Sequence, residues 1–484
     1  MVSLQSLVKD TAIYGLSSII GRFLNYFLVP LYTAKLSVES GGYGIITNVY
    51  AYVALLLVIL TYGMETTFFR FANKEGEDPG RVYSTTLLSV GATSLLFVAA
   101  VLVFLQPVSA FMGYASNPSF VWTMAAVVAM DAFQCVPFAY LRMHKRPVKF
   151  AFLKLLFIVL NIVFNLLAFL VLPLFTGEAT PVGYAFYINL LCTSVVMLCF
   201  RRELTGFKYV FDADLWRRMM RYTWPILVLG VAGILNQTAD KILFPYLYPG
   251  ADGHSQLGIY GAATKIAMIM AMITQAFRYA YEPFVFGKAK EKDSTKTYAT
   301  AMKYFVIFTL LAFLVVTAYL DILRYIIERS YWEGLKVVPI VMAAEIMMGV
   351  YFNLSFWYKL IDKTIWGAVF SAAGCLMLIL VNVLFVPRYG YMACAWGGFV
   401  GYGTAMLLSY FVGQRKNPID YPVRRMLGYT LLAVVAYVGI AFSNEWLPVW
   451  ASLTVNTVLV GIFAAVVVKY DFPLKRLPVV GKYF

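Results

Sequence analysis

The sequence is poor in the residues that soluble enzymes rely on. Charged residues make up 13% of the 484 positions, roughly half the share found in an ordinary soluble domain. Histidine occurs only at His144 and His254, both in loops, which removes most histidine-based chemistry. The five cysteines lie in apolar runs without metal-ligand spacing, and the sequence has no P-loop, nucleophile elbow or zinc motif. We therefore expect no enzymatic activity, no cofactor and no metal site.

Long hydrophobic runs dominate the sequence instead. Hydrophobic residues make up 61% of the chain, and a helix that spans a bilayer needs about 20 mostly apolar residues. The runs predict an all-α integral membrane protein with about fourteen transmembrane helices. Their predicted bounds are 11–35, 44–69, 83–106, 119–141, 150–173, 182–200, 222–247, 259–286, 298–323, 336–360, 364–386, 392–413, 426–443 and 450–468.

The net charge of +15 lies in the short loops between these runs. Because no basic stripe interleaved with aromatic residues lies on a soluble segment, we expect no nucleic-acid partner. An even number of spans places both termini on one side, and lysine and arginine concentrate in the loops of that side. The positive-inside rule therefore predicts that both termini are cytoplasmic. The opposite loops hold only Lys35, Arg324, Arg329, Lys336 and Arg388.

An internal repeat relates two groups of six predicted helices. The first span ends in Pro30-Leu31-Tyr32 and the seventh in Pro245-Tyr246-Leu247, about 215 residues later, and a similar offset relates Asn165 to Asn382. Two pseudo-repeated six-helix lobes in the same orientation favour a central cleft and alternating access. The predicted organisation is an N-terminal lobe at 1–200, a cytoplasmic basic interfacial linker at 201–221, a C-terminal lobe at 222–413, two additional transmembrane helices at 426–468 and a basic cytoplasmic tail at 469–484.

Cations inside the spans indicate a binding cavity. Ionisable groups at bilayer depth are costly and usually face a cavity, and arginine and lysine both bind phosphate. Lys154 and Lys303 lie within two turns of the cytoplasmic helix ends and are interpreted as extending to water. The remaining intramembrane cations are candidate binding residues for an anionic headgroup: Arg22, Lys241, Lys265 and Arg278.

The carboxylate side chains within the predicted spans have two alternative roles, ion coupling and ion pairing. The side chains are those of Glu65, Asp131, Asp240, Glu282 and Glu345. Asp131 and Glu345 are the deepest, and either could carry a coupling proton or a sodium ion. Alternatively, these carboxylates could neutralise buried cations such as Arg22 or Lys241.

Two prolines occupy equivalent positions in the repeat. Pro30 and Pro245 each lie near the outer end of a predicted helix, where proline frees a carbonyl and kinks the chain. Equivalent kinks in both lobes could form an outer gate, or they could be tolerated bends near helix ends.

Several segments resemble the polysaccharide-biosynthesis flippases. The stretch from Asn382 to Trp396, N-V-L-F-V-P-R-Y-G-Y-M-A-C-A-W, is similar to the family signature N…P-x-Y-G-x-x-G-A-A. Leu257-Gly258-Ile259-Tyr260 and Asp240-Lys241-Ile242-Leu243 resemble family segments as well. Met392 and Cys394 depart mildly from the signature, at positions where the family often has glycine and alanine. These are the Wzx-type O-antigen, capsule and exopolysaccharide flippases, within the superfamily of multidrug, oligosaccharidyl-lipid and polysaccharide exporters.

The resemblance implies a function. Such proteins move a polyprenyl-pyrophosphate-linked oligosaccharide from the inner to the outer leaflet of the bacterial cytoplasmic (inner) membrane, in contact with membrane lipids. Sodium ions or protons are candidate coupling ions, and the sequence leaves open whether the membrane potential alone drives the step. By similarity, Arg22 and Lys265 would attract the pyrophosphate. The resemblance covers the whole chain, from the opening segment with Gly21 and Arg22 onward.

Three other functions remain open from the sequence. A cation-coupled multidrug exporter of the related type favours twelve spans and an acidic site for cationic substrates. A lipid II flippase of peptidoglycan synthesis is a close relative, and two additional helices would suit it. A membrane glycan polymerase or transferase should carry a large outer loop with catalytic residues, and the predicted outer loops are short.

Overall fold

The computed structural model describes residues 26–288, 294–361 and 363–471. Within these ranges the chain forms helices, turns and loops, without a β-strand. The α-helices are α1 (Leu28–Lys35), α2 (Gly42–Thr61), α3 (Met64–Ala72), α4 (Pro79–Val103), α5 (Leu105–Phe111), α6 (Pro118–Met143), α7 (Pro147–Leu166), α8 (Leu172–Thr176), α9 (Gly183–Cys199), α10 (Arg201–Leu204), α11 (Ala213–Leu247), α12 (Gly253–Lys288), α13 (Ser294–Ala318), α14 (Leu320–Leu323), α15 (Val338–Leu354), α16 (Phe356–Leu360), α17 (Ile365–Tyr389), α18 (Tyr391–Lys416), α19 (Val423–Trp446) and α20 (Val449–Tyr470).

Eleven helical segments in the described ranges are long and apolar enough to cross a membrane. The segment α9 is apolar but shorter, and α18 has 26 residues without being among the eleven. The predicted all-α membrane architecture is confirmed. The number of fourteen spans is not confirmed and stays a prediction, since most of the first predicted span lies outside the described residues.

The fifth predicted span changes from an α-helix to a π-helical turn near its end. Helix α7 continues into a π-helical turn at Leu167–Val171, and α8 follows at once with Pro173 in its first turn. Proline lacks an N–H and its ring crowds the preceding turn. A wider turn directly before it keeps the remaining backbone groups bonded, which a lipid environment requires.

The basic linker leads directly into a single long helix. Helix α11 has 35 residues and is therefore about 52 Å long, well beyond the ~30 Å hydrocarbon thickness of a bilayer. The Asp212 carboxylate caps it by accepting from the backbone N–H groups of Asp214 and Leu215 at 3.1 and 2.9 Å. Residues 213–221 of the predicted linker are thus the first part of α11.

The chain divides into two compact units. Unit 1 comprises the described residues up to Gly261 together with Val386–Tyr391, and unit 2 comprises Ala262–Phe385 together with the described residues from Met392 onward. The core of unit 1 includes fully buried side chains such as Phe68, Val128 and Met219. The predicted lobe boundaries stay predictions.

In unit 2, the last two helices are tied to α13 at one charged cluster. The Asp471 carboxylate, which follows α20, forms an ion pair with Lys303 of α13 and accepts a hydrogen bond from the Tyr429 hydroxyl of α19. Arg425 lies 3.5 Å from the same carboxylate. Lys303, which the sequence predicted to extend to water, is therefore part of a buried ion pair.

Candidate functional site

The second predicted span is broken inside unit 1. Tyr62 and Gly63, which separate α2 from α3, both have positive φ angles, 32° and 73°. A side chain on Gly63 would place its Cβ 2.7 Å from Cγ2 of Ile226, so the close approach of α11 requires glycine. The Thr223 hydroxyl donates to the Tyr62 carbonyl, which the break frees from helical bonding.

One face of α6 carries polar side chains toward this break. Asp131, Gln134, Phe138 and Arg142 follow one another at the three- and four-residue steps that keep side chains on one side of a helix, and Cys135 lies four residues after Asp131 on the same side. The Gln134 side-chain amide donates to the Thr193 carbonyl of α9 at 3.0 Å. This face is therefore anchored to α9 while its charged members remain available to the interior of unit 1.

A cavity of about 520 Å³ lies against this face. Helices α2, α3, α6, α7 and α9 all contribute to its wall, and every contributing residue belongs to unit 1. Three phenylalanine rings and several aliphatic side chains form the apolar part. The polar and charged part consists of Thr61, Glu65, Asp131, Gln134, Arg142 and Lys154.

Of the four charged side chains in this cavity, two form an ion pair with each other and two do not. Glu65 and Arg142 form an ion pair in which each side chain is 43% exposed, so this pair lies at the open end of the cavity. Asp131 is half-buried and Lys154 is exposed to the cavity, with its ammonium 4.0 Å from the centre of the Phe138 ring. Within the described part of the chain, neither Asp131 nor Lys154 has an oppositely charged group within 4.0 Å.

Lys154 corrects an interpretation made from the sequence. Its position seven residues into α7 suggested a side chain that extends to water along the helix. The structure instead directs it into the cavity, beside the polar face of α6. The signal that sequence reasoning missed was the regular spacing of Asp131, Gln134 and Arg142, which marks a polar stripe on a transmembrane helix and hence a wet interior.

Two predicted site residues, Asp240 and Lys241, are joined in a second cluster of unit 1. The Lys241 ammonium lies 3.1 Å from each carboxylate oxygen of Asp240 and donates to the Gln237 carbonyl at 3.0 Å. The Tyr260 hydroxyl donates to Asp240 at 2.7 Å. The Asp240 side chain is 7% exposed and that of Lys241 23%, so this lysine already has a neutralising partner.

Three further predicted site residues lie in unit 2. Lys265 on α12 is half-buried, Glu345 on α15 is half-buried, and Arg278 on α12 is exposed. The Arg278 guanidinium lies 4.1 Å from the centre of the Phe352 ring, a cation–π contact. All three make polar or electrostatic interactions with neighbouring groups.

The remaining predicted site residues are only partly described. Arg22 and the side chain of Glu282 lie outside the described residues. Pro30 is exposed in α1, three residues beyond a turn that interrupts the helix at Phe27. Pro245 lies inside α11, two residues before its end. The gating role of the two prolines stays a prediction.

The described residues contain no group of three or more histidine, cysteine, aspartate or glutamate side chains that could hold a metal ion. The side chains that line the unit 1 cavity offer hydrogen bonding and charge. They offer carboxylate acceptors, an ammonium and a guanidinium donor, and aromatic surfaces. Such a lining suits a polar organic ligand or a titratable ion-exchange site.

The fold is that of known membrane transporters. The chain superposes on the lipid II flippase MurJ in an inward closed conformation with a TM-score of 0.74, 12% identity, and coverage of 94% of this chain and 98% of that chain. It also superposes on an inward-facing multidrug resistance transporter of the MATE family, in the MOP superfamily, with a TM-score of 0.67, 14% identity, and coverage of 82% and 94%. These likenesses and the membrane helices define the class as a multi-pass membrane protein with a transporter fold.

A family model described as polysaccharide biosynthesis protein matches residues 7–280, which is more than half of the chain. The chain therefore belongs to the polysaccharide biosynthesis protein family, as its motifs predicted. It is also 20% identical over 430 residues to the Lsg locus protein 1 of Haemophilus influenzae, a match that covers 84% of this chain and 98% of that protein.

Proposed function

We propose that this protein is a flippase for surface-polysaccharide assembly. It moves a polyprenyl-pyrophosphate-linked oligosaccharide from the inner to the outer leaflet of the bacterial cytoplasmic membrane, with both termini in the cytoplasm. O-antigen, capsule and exopolysaccharide precursors all fit this cargo. The observation that carries the proposal is a charged cavity at membrane depth, in a chain that belongs to a polysaccharide biosynthesis family and has a transporter fold.

The transport step follows from the cost of moving the cargo. Pyrophosphate and sugar hydroxyls cannot cross hydrocarbon without replacement of their water hydrogen bonds. A protein cavity lined by donors and acceptors supplies that replacement, while the polyprenyl chain stays in the lipid. The protein then acts by alternating access, opening the site to one side of the membrane at a time, and performs no covalent chemistry on the cargo.

The candidate pyrophosphate-binding residues differ in their exposure and in whether a carboxylate already neutralises them. Lys265 and Arg278 support the proposal as half-buried and exposed cations in unit 2, and Arg22 is proposed on the motif alone. Lys241 is the weakest candidate, because binding an anion there requires displacement of the Asp240 carboxylate. Glu65, Asp131, Glu282 and Glu345 remain candidates for proton or sodium coupling or for ion pairing.

Two other transport functions are favoured by specific observations. The fold likeness to MurJ, with the larger TM-score of the two transporters compared, favours a lipid II flippase. The likeness to a multidrug transporter favours drug export. The second fits less well, because the unit 1 cavity carries Arg142 and Lys154 beside its carboxylates, and these cations repel the cationic drugs that such exporters take.

The test is deletion of the gene in its host, followed by extraction of lipid-linked glycans. We expect one glycan to accumulate on the inner leaflet while a surface polysaccharide disappears, with rescue by the wild type and by Lys208→Ala, a change at an exposed lysine of the linker. Arg22→Ala and Lys265→Ala should rescue poorly at matched expression. Accumulation of lipid II would select the peptidoglycan function, and sensitivity to cationic dyes without accumulation would select drug export.

A further inference from the structure

The cavity of unit 1 has a charge balance that the candidate pyrophosphate residues do not explain. Arg142 and Lys154 contribute two positive charges, and Glu65 and Asp131 contribute two negative charges. A cavity without net charge gives no overall attraction to pyrophosphate. Asp131, which lies near the middle of α6, is nevertheless costly to keep charged there, about 2.5–3.5 kcal/mol at the centre of a transmembrane helix, so the lining implies a ligand that uses donors and acceptors together.

The inner charges are separated in the way that a hydroxylated ligand requires. Asp131 accepts hydrogen bonds and Lys154 donates them, and the two side chains are more than 4.0 Å apart, with no direct ion pair between them. A hydroxyl group both donates and accepts, so adjacent hydroxyls on one molecule can satisfy both side chains at once. The Thr61 hydroxyl donates to the Leu57 carbonyl at 2.8 Å and keeps its own oxygen as an acceptor.

The apolar part of the same wall supplies the complementary surface. Phe138, Phe150 and Phe157 contribute to the lining. A pyranose ring has C–H groups on its faces and hydroxyls at its rim, so it packs its faces on aromatic rings and hydrogen-bonds at its edge. A volume of about 520 Å³ lies in the 300–1,000 Å³ range of small-molecule sites.

We infer that this cavity binds a sugar unit of the transported oligosaccharide, with Asp131 and Lys154 as the residues that hydrogen-bond its hydroxyls. The inference rests on the proposed flippase function and adds a carbohydrate subsite within unit 1. A metal cation is disfavoured as the occupant, because the Lys154 ammonium and the Arg142 guanidinium face the same space. A sugar that carries both an amino and a carboxyl substituent matches the separated charges best.

The mouth of the cavity fits loading from the side where the cargo is made. Glu65 and Arg142 are each 43% exposed, and Arg142 stands next to the end of α6, which the topology prediction places at the cytoplasmic surface. A sugar entering there passes a neutralised ion pair before it reaches Asp131 and Lys154.

The first experiment measures sugar binding to the full-length protein in lipid nanodiscs by calorimetry. The probe is the soluble oligosaccharide released by mild acid from the host's own lipid-linked glycan. Lys154→Met and Asp131→Asn should each weaken binding at least ~10-fold, the loss expected for a hydrogen bond to a charged group. Lys208→Met, at an exposed lysine outside the cavity, should bind as the wild type does.

A second measurement uses the wild-type lining and avoids any variant that fails to fold. Cys135 lies in the cavity wall, Cys199 is exposed, and the other three cysteines are buried. In a Cys199→Ala background, the released oligosaccharide should slow the reaction of Cys135 with N-ethylmaleimide by about threefold or more, as expected when a bound ligand covers the site for most of the time. Unrelated maltotriose at the same concentration should leave the rate unchanged.

The outcomes separate the subsite from the flippase function. Unchanged affinity in both variants, unchanged labelling of Cys135, or no binding by the wild type at millimolar probe overturns the subsite, even where the gene deletion still accumulates lipid-linked glycan. Loss of surface polysaccharide in Asp131→Asn with unaltered sugar affinity also overturns it and assigns Asp131 to ion coupling. If the deletion accumulates no lipid-linked glycan at all, the flippase function itself fails.

Discussion

Two of the cavities in the described residues, one in each unit, are similar in volume but opposite in lining. The unit 1 cavity, about 520 Å³, is lined by four charged side chains. The unit 2 cavity, about 610 Å³, lies among α13, α15, α18 and α19, and its polar groups are the hydroxyls of Tyr410, Tyr421 and Thr430. Lipid chains can fill an apolar space at no cost, whereas a charged space at membrane depth is retained only for a ligand or a partner.

The charged side chains of the two units also differ, because those compared in unit 2 form a direct ion pair and those compared in unit 1 do not. In unit 2, Lys303 and Asp471 pair with side chains only 12% and 3% exposed, and the pair fastens α19 and α20 to α13. In unit 1, Asp131 and Lys154 face open volume. The comparison teaches that the buried Lys303–Asp471 pair stabilises the fold, whereas Asp131 and Lys154, which line a cavity without a direct ion pair, are available to a ligand.

The largest effect on stability is expected where the paired charge is removed. Lys303→Met removes the buried cation beside the Asp471 carboxylate and leaves it only the Tyr429 hydroxyl and the mostly exposed Arg425. Breaking a buried ion pair costs about 3 kcal/mol or more. Lys154→Met should lower the free energy of unfolding by less than about 1 kcal/mol, since no carboxylate of the described residues lies within 4.0 Å of its ammonium. Chemical unfolding in mixed micelles measures both, and equal losses would erase the distinction between the units.

The same cluster gives a pH signature. Burial opposes the charged carboxylate, but the hydrogen bonds from Lys303 and Tyr429 and the charges of Lys303 and Arg425 outweigh it, so the pKa of Asp471 lies below its ordinary value of 3.8. A lowered folded-state pKa means that the stabilisation is fully present above the ordinary value and is lost as pH falls through the lowered one. Lys303→Met should reduce this loss, which unfolding measured at pH 7 and at pH 3 detects.

The next largest effect is expected at the broken helix that borders the charged cavity. Gly63→Ala forces a side chain into positive φ and against Ile226, and we expect about 2 kcal/mol of lost stability. The control is Gly113→Ala, with a φ of 80° but no atom within 4 Å of the added Cβ, for which about 1 kcal/mol is expected. Equal losses at the two sites would show that contact with α11 does not fix the break.

The long hydrophobic runs were sufficient to predict the membrane architecture, because the length and hydropathy of a span depend on the bilayer and not on neighbouring helices. The family followed from local motifs. The site was harder, since a charge in a span has the same sequence signature whether it faces a cavity, as Lys154 does, or a partner, as Lys303 does. Only the packing of other helices around the charge distinguishes the two cases.

The repeat shows the same limit at one pair of positions. The Asn165 side chain accepts from the Tyr32 hydroxyl at 2.8 Å and donates to the Asn161 carbonyl at 2.7 Å. Its predicted equivalent, Asn382, is completely buried, and its amide has no hydrogen-bond partner among the described residues. Two residues that the predicted repeat makes equivalent thus have different surroundings, which an offset in the sequence does not reveal.

A charge reversal in the unit 1 cavity should affect transport more than stability. Lys154→Glu turns the balanced lining into three carboxylates against Arg142, and repulsion among them should lower surface polysaccharide about tenfold at matched expression. The matched control, Lys208→Glu, makes the same change at an exposed position. Full complementation by Lys154→Glu would mean that the cargo does not use this cavity.

The smallest effect is expected when the apolar cavity of unit 2 is partly filled. Ala343→Phe adds a ring to a wall that is already apolar and has about 610 Å³ in front of it, so the ring fits without the overpacking that destabilises a dense core. We expect less than about a twofold change in surface polysaccharide, because the displaced occupant is interchangeable lipid. A loss as large as that of Lys154→Glu would reverse the comparison, since the apolar cavity would then bind a specific part of the cargo.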